Sequence, residues 1–118
     1  MKRFATYAVI AAFSSLPTMA KDSYKYSVAG TNLDGSSYSG TAIVTIESET
    51  TCSIRWQTGS TTSVGICMRS GDSYAAAYQL GGKVGLVIYK AEGGGSLKGI
   101  WTVTGLNGVG TEVLTPAN

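Results

Sequence analysis

The chain has 118 residues, a formal net charge of +2 and no histidine. This length allows a single domain with a modest core. The near balance of charges excludes the strongly basic surface that is typical of nucleic-acid-binding proteins. The absence of histidine removes the commonest general base and the commonest metal ligand.

The first 20 residues have the pattern of an export signal. Lys2 and Arg3 form a basic start, residues 4–16 are apolar, and small residues precede Ala20. We expect cleavage after Ala20, which makes residues 1–20 a signal peptide and residues 21–118 one domain in the periplasm or outside the cell. The apolar stretch is shorter than the ~20 residues of a membrane-spanning helix, so no transmembrane segment is expected in the mature chain.

Eight strands are predicted in the mature chain, because runs rich in Val, Ile, Thr and Tyr alternate with glycine-containing turns. The strands lie near residues 24–30, 37–47, 51–58, 62–70, 73–80, 83–90, 96–104 and 109–115. Every connection is short, so each strand should pair with its sequence neighbour. This predicts an all-β fold, a small eight-stranded antiparallel up-and-down (calycin-like) barrel.

Alternation along the strands places one set of aromatic side chains inside the barrel. The set consists of Tyr24, Tyr26, Tyr38, Trp56, Tyr74, Tyr78 and Trp101. Two interpretations stay open, because an eight-stranded barrel can enclose either side chains or one small ligand. The rings either fill a solid core or line a cavity for an apolar or aromatic ligand, in which case these seven residues are its candidate contacts.

The two cysteines are expected to form a disulfide, as is usual in a small exported domain. A two-residue hairpin turn at Gly59-Ser60 pairs residues whose numbers sum to 119, and Cys52 and Cys67 have that sum. The alternative, a reactive thiol pair, lacks Cys-x-x-Cys spacing.

This register raises a conflict in the fourth strand. When the numbers of paired residues have an odd sum, each even-numbered residue of one strand lies opposite an odd-numbered residue of the other. The apolar residues Val64, Ile66 and Met68 then face away from the buried side of the third strand. We expect a β-bulge at Gly65 to restore a common inward face.

No catalytic, cofactor-binding or metal-binding residue is predicted. Nucleophilic catalysis needs an activated nucleophile beside a base, and neither a histidine nor a Ser-Lys motif supplies one. The seven carboxylates are scattered, mostly at turns, where Asp34 and Asp72 have an ordinary structural role. We therefore expect a protein that is not an enzyme, needs no cofactor and binds no nucleic acid.

A longer pattern of residues spans the whole mature chain. It comprises Tyr26-x-Val28-x-Gly30-x-Asn32, Asp34-Gly35-Ser36-x-Tyr38-x-Gly40, Ile54-x-Trp56, Gly65-Ile66-Cys67-Met68, Gly99-x-Trp101 and Gly110-Thr111-Glu112-x-Leu114-Thr115-Pro116. This pattern resembles a family of small exported proteobacterial glycine-rich β-barrel proteins, mostly uncharacterised, some of which are loosely labelled fibronectin-binding. The resemblance implies a periplasmic or secreted setting and no particular activity.

A second, local pattern is Ser70-Gly71-Asp72-Ser73-Tyr74. It is similar to the Ser-Gly-x-x-Tyr motif of the periplasmic inhibitors of c-type lysozyme, which are small disulfide-containing barrels. The resemblance implies an inhibitory loop of Ser70, Gly71 and Tyr74, with Ser70 and the downstream Lys83 entering the lysozyme cleft. The alternative interpretation is an ordinary hairpin turn.

Three functions therefore stay open. The first is a non-catalytic exported binding protein, with a small apolar ligand inside or an extracellular or periplasmic protein outside. The second is an inhibitor of c-type lysozyme, and the third is a structural envelope component with a solid core. An internal void of ~300 Å³ or more would favour the ligand, and an exposed apolar patch of several hundred Å² would favour a protein partner.

Overall fold

The computed structural model describes residues 21–117, and the predicted signal peptide lies outside these residues. The described chain is a closed antiparallel barrel in which each strand pairs with its sequence neighbours and the first with the last. The strands are β1 (Ser23–Thr31), β2 (Ser37–Ile46), β3 (Cys52–Thr58), β4 (Thr61–Ser70), β5 (Ser73–Leu80), β6 (Lys83–Ala91), β7 (Leu97–Val103) and β8 (Gly110–Pro116), with one short 3₁₀ turn at Gly93–Gly95. The predicted fold class is confirmed, and each strand ends within one residue of its predicted limits. Within residues 21–117 there is no helix of sufficient length and hydrophobicity to span a membrane.

Three two-residue turns set the register of the middle of the barrel. Each begins with a glycine at positive φ: 60° at Gly59, 62° at Gly71 and 56° at Gly81. Such turns match the right-handed twist of paired strands and require the left-handed backbone region that glycine adopts without strain. Across each turn, the numbers of paired residues have an odd sum. The inward-facing residues therefore have even numbers in one strand and odd numbers in the next.

The disulfide between Cys52 and Cys67 is confirmed, and their Cα atoms lie 4.9 Å apart. The two residues are paired across β3 and β4, as the sum of 119 predicted. A crosslink closing a loop of this length stabilises a fold by about 3 kcal/mol in the chain-entropy model.

The expected bulge at Gly65 is wrong. Pairing of β3 with β4 continues without interruption, and Gly65 pairs with Ile54 on one side and Tyr78 on the other. A Cβ at this position would lie 2.9 Å from the Cβ of Tyr78, so the glycine makes room inside the barrel. The apolar residues that the bulge was expected to turn inward face solvent instead, and Ile66 is 69% exposed.

Inward-facing aromatic rings lie over glycines of the neighbouring strand. The pairs are Tyr38 with Gly30, Tyr78 with Gly85, Tyr89 with Gly99 and Trp101 with Gly110. In all four pairs, a Cβ added to the glycine would overlap the ring. The glycines therefore provide the space in which large rings fit inside a small barrel.

The two ends of the barrel differ. The terminal end carries the two ends of the described chain and the turns that follow β2, β4 and β6, whereas the cavity end carries the turns that follow β1, β3, β5 and β7. Buried apolar residues from all eight strands form one core. The space that this core leaves open lies towards the cavity end and forms the site described next.

Candidate functional site

A cavity of about 490 Å³ lies inside the barrel at its cavity end. Small-molecule sites in proteins have volumes of roughly 300–1,000 Å³, so the cavity has room for a small organic ligand. Its walls are aromatic, with Tyr38, Trp56, Tyr78 and Trp101 facing the void. Its mouth is polar and includes Asn32, Thr58, Thr61 and Ser63.

The aromatic walls consist of two packed pairs. Tyr38 and Trp101 meet edge to face, with ring centroids 6.2 Å apart and planes at 71°. Trp56 and Tyr78 are tilted by 60°, with centroids 5.1 Å apart. Both distances lie in the range favoured by aromatic pairs, so these contacts hold the rings in place around the void.

A buried carboxylate, Glu112 on β8, also lines the cavity and is only 6% exposed. The residues paired with it on β1 and β7 are glycines, Gly30 and Gly99. Tyr38 Oη donates to Oε1 at 2.7 Å, and Trp56 Nε1 donates to Oε2 at 2.9 Å. Tyr89 Oη also donates to Oε2. An ionised carboxylate offers about four acceptor positions, so these three donors leave Oε1 able to accept one more.

Glu112 has no basic partner among residues 21–117. All seven Lys and Arg side chains in that range belong to exposed residues, and the ion pairs formed there join Lys21 to Glu47 and Lys90 to Asp72. Burying a charge is costly unless it is hydrogen-bonded and paired. The three donors provide the hydrogen bonds, and no basic side chain of residues 21–117 pairs with the carboxylate, which is the acidic group facing the aromatic cavity.

The tyrosines of the cavity remain protonated at neutral pH. Burial, and next the nearby charge of Glu112, raise the pKa of Tyr38 and of Tyr89 well above the ordinary value. The same two causes raise the pKa of Tyr78 to about 12. The hydroxyls of Tyr38 and Tyr89 therefore act as hydrogen-bond donors to Glu112.

The structure divides the seven predicted interior aromatics between the two ends of the barrel. Tyr38, Trp56, Tyr78 and Trp101 line the cavity. Tyr24, Tyr26 and Tyr74 lie at the terminal end, where Tyr24 is 49% exposed. Only the first four are therefore placed to contact a ligand in the cavity.

Glu112 and Tyr89 are not among the residues predicted from the sequence. The carboxylate was grouped with scattered acidic residues, although Gly110, Glu112 and Leu114 alternate along β8 and all three are buried. That alternation was the available signal for an inward-facing carboxylate. For Tyr89 no such signal existed, because β6 has apolar residues on both of its faces.

The residues of the predicted inhibitory loop are not all brought together. Ser70 and Gly71 lie in the hairpin between β4 and β5 at the terminal end, where the guanidinium of Arg69 lies 5.6 Å from the ring centroid of Tyr74. Lys83 pairs with Leu80 at the cavity end, so the length of β5, about 25 Å, separates it from Ser70. The lysine beside the hairpin is Lys90, whose Nζ lies 3.9 Å from Asp72.

Within residues 21–117, no group of three or more His, Cys, Asp and Glu side chains is arranged to hold a metal ion. Comparison of the chain with models of protein families, with curated proteins and with solved structures finds no match. Both family resemblances therefore stay predictions.

Proposed function

We propose that the protein is an exported, non-catalytic binding protein whose barrel cavity holds a small organic cation with an apolar body. The observation that carries this proposal is the buried, hydrogen-bonded carboxylate of Glu112, which faces an aromatic cavity without a basic partner among the described residues. The signal-like first 20 residues and the disulfide support export to an oxidising compartment.

The chemistry of the walls favours a cation over other ligands. A cation within about 6 Å of an aromatic centroid is attracted by the ring face, and four aromatic residues surround this void. Glu112 adds a full negative charge in a partly desolvated site, where electrostatic attraction is stronger than in water. A neutral ligand would leave that charge uncompensated, and an anion would be repelled by it.

Two other candidate functions receive less support from the geometry. A structural component with a solid core does not require a void of about 490 Å³. Inhibition of lysozyme through Ser70 and Lys83 requires both residues to enter one cleft, yet they lie at opposite ends of β5. The interior cavity is therefore the better-supported site.

Intrinsic fluorescence tests the proposal directly, because the chain has only two tryptophans and both line the cavity. The exported protein is titrated with benzyltrimethylammonium, benzyl alcohol and benzoate, which share a phenyl ring and differ in charge. We expect a saturable change in emission with the cation, a weaker response to the alcohol and none with benzoate.

A pair of variants locates the binding. Ser63→Phe places a ring in the cavity, whereas Ser39→Phe places the same ring on the exposed outer side of β2. The first variant should lose the response to the cation and the second should keep it, with far-UV circular dichroism confirming that both are folded. Equal responses to all three probes, or a response unchanged in Ser63→Phe, would contradict the proposal.

A further inference from the structure

The outer surface of the barrel has two different halves. Outward residues of β8, β1, β2 and β3 are mostly hydroxyl-bearing or charged, as in Thr41, Ser53 and Arg55. Outward residues of β4 and β6 are mostly large and aliphatic, and β7 adds one such residue, Ile100, between Lys98 and Thr102. We call the second set the apolar face: Val64, Ile66, Met68, Val84, Leu86, Ile88 and Ile100, each between 49% and 69% exposed.

The strand register makes the apolar face continuous. Ile66 of β4 and Leu86 of β6 flank Ala77 of β5 in one row. In the next row, Met68 and Ile88 flank Ala75, and Ile100 of β7 extends it. Because β5 contributes only small side chains to these rows, it forms a shallow groove between two aliphatic ridges.

The area of this face is large for a monomer. Seven side chains of this size, exposed by half to two thirds, present on the order of 700 Å². The largest apolar patch of a typical monomer measures about 300–600 Å², and each partner in a stable protein complex buries about 800 Å². The apolar face therefore has the area that one side of a dimer interface needs.

We infer that the apolar face is the interface of a symmetric homodimer. A two-fold axis brings the same patch of both copies together, and a patch made of a groove beside ridges is complementary to itself: a ridge of each copy enters the groove of the other. In such a dimer the outer faces of the two barrels pack face to face, as two sheets do in a β-sandwich. Lys83 and Lys90, which lie near the two ends of β6, stay at the solvated edge.

This inference is independent of the proposed ligand. The apolar face lies along the side of the barrel, whereas the cavity opens at one end. A dimer built on this face leaves both cavities accessible, so failure of either proposal leaves the other untouched.

Sedimentation equilibrium tests the inference with the exported protein and two variants. Leu86→Glu places a charge in the middle of the apolar face, and Ile43→Glu makes the same change on β2, at a residue that is 41% exposed. We expect a dimer for the wild type and for Ile43→Glu, and a monomer for Leu86→Glu, because a carboxylate cannot be buried unpaired in an apolar interface. Both changes are on outward residues, and circular dichroism checks that each variant is folded.

A wild type that stays monomeric up to about 100 μM, well above the Kd of a stable dimer, would overturn the inference. Dissociation of the dimer by Ile43→Glu together with persistence of the dimer in Leu86→Glu would also overturn it. A further assay mixes the protein with phosphatidylglycerol vesicles. A monomer that sediments with these vesicles, and loses this binding in Leu86→Glu, would identify the face as a lipid contact and refute the dimer.

Discussion

Glu112 is held by donors from three strands that are far apart in sequence. Tyr38, Trp56 and Tyr89 lie 74, 56 and 23 residues away from it. Since each donor is itself buried or half-buried, the carboxylate is fixed before any ligand arrives. Such preorganisation lowers the cost of ordering the site on binding.

The residue that defines the proposed site was harder to predict from the sequence than its aromatic walls, because alternation along β8 was the one signal for it. Trp56 and Tyr38 lie in strands where polar and apolar residues alternate, so their inward direction follows from the pattern. A carboxylate in a strand usually faces solvent. Glu112 is buried because donors from three other strands converge on it, and that convergence exists only once the barrel is closed.

The raised pKa values of Tyr38, Tyr78 and Tyr89 predict a loss of stability in alkaline solution. An unfolded tyrosine has a pKa of about 10, so above that pH the folded protein binds more protons than the unfolded chain, and stability falls as pH rises. Below about pH 10 this stabilisation is fully present. We expect tyrosinate absorbance in the near ultraviolet to rise in a cooperative step that coincides with the loss of far-UV circular dichroism. Ionisation of all the tyrosines near pH 10 in a protein that stays folded would contradict the assignment.

At the scale of elements, turns and strand limits were predictable because glycine-containing turns mark them. It was harder to predict which side of β4 and of β6 points into the barrel. In β6, large apolar residues lie on both sides, so hydrophobic alternation could not choose an inward face. In β4, the large aliphatic residues all lie on the side that faces outward, so alternation favoured the wrong face. The odd register of the Gly59 turn did choose correctly, and the predicted bulge was wrong because it assumed that every apolar residue of β4 must be buried.

Because aromatic rings lie over glycines, we expect the free energy of unfolding to depend strongly on the size of the side chain at those glycines. Gly85 lies under the ring of Tyr78, whereas a Cβ added to Gly93 would meet no neighbouring atom within 4 Å, and Gly93 does not have positive φ. We expect Gly85→Ala to lower the free energy of unfolding by about 1–3 kcal/mol through overpacking. Gly93→Ala should change it by less than about 0.5 kcal/mol, and urea denaturation measures both.

A second substitution identifies the cause of that loss. Combining Gly85→Ala with Tyr78→Leu removes the ring that the new methyl group meets, so the alanine should cost less stability in the Tyr78→Leu variant than in the wild type. Equal costs of Gly85→Ala in both backgrounds would show that the ring is not responsible.

For the whole molecule, closure of the barrel explains why a chain this small can contain a cavity. Side chains facing the void near its mouth are short and polar, as with Thr58 and Ser63, whereas Leu97 and Leu114 pair with each other towards the terminal end. The volume left open is the difference between the space inside eight strands and the side chains that fill it. The barrel was predictable from the sequence, whereas the volume of its cavity was not.

The central claim is that Glu112 selects a cation within the aromatic cavity, and calorimetric titration tests it most directly. The wild type, Glu112→Gln and the exposed control Glu49→Gln are titrated with benzyltrimethylammonium and benzyl alcohol. We expect the wild type and Glu49→Gln to prefer the cation at least tenfold, about 1.4 kcal/mol, and Glu112→Gln to lose this preference. Thermal melting shows whether each variant is folded. A wild type that binds both probes equally, or a folded Glu112→Gln that keeps the preference, would contradict the account.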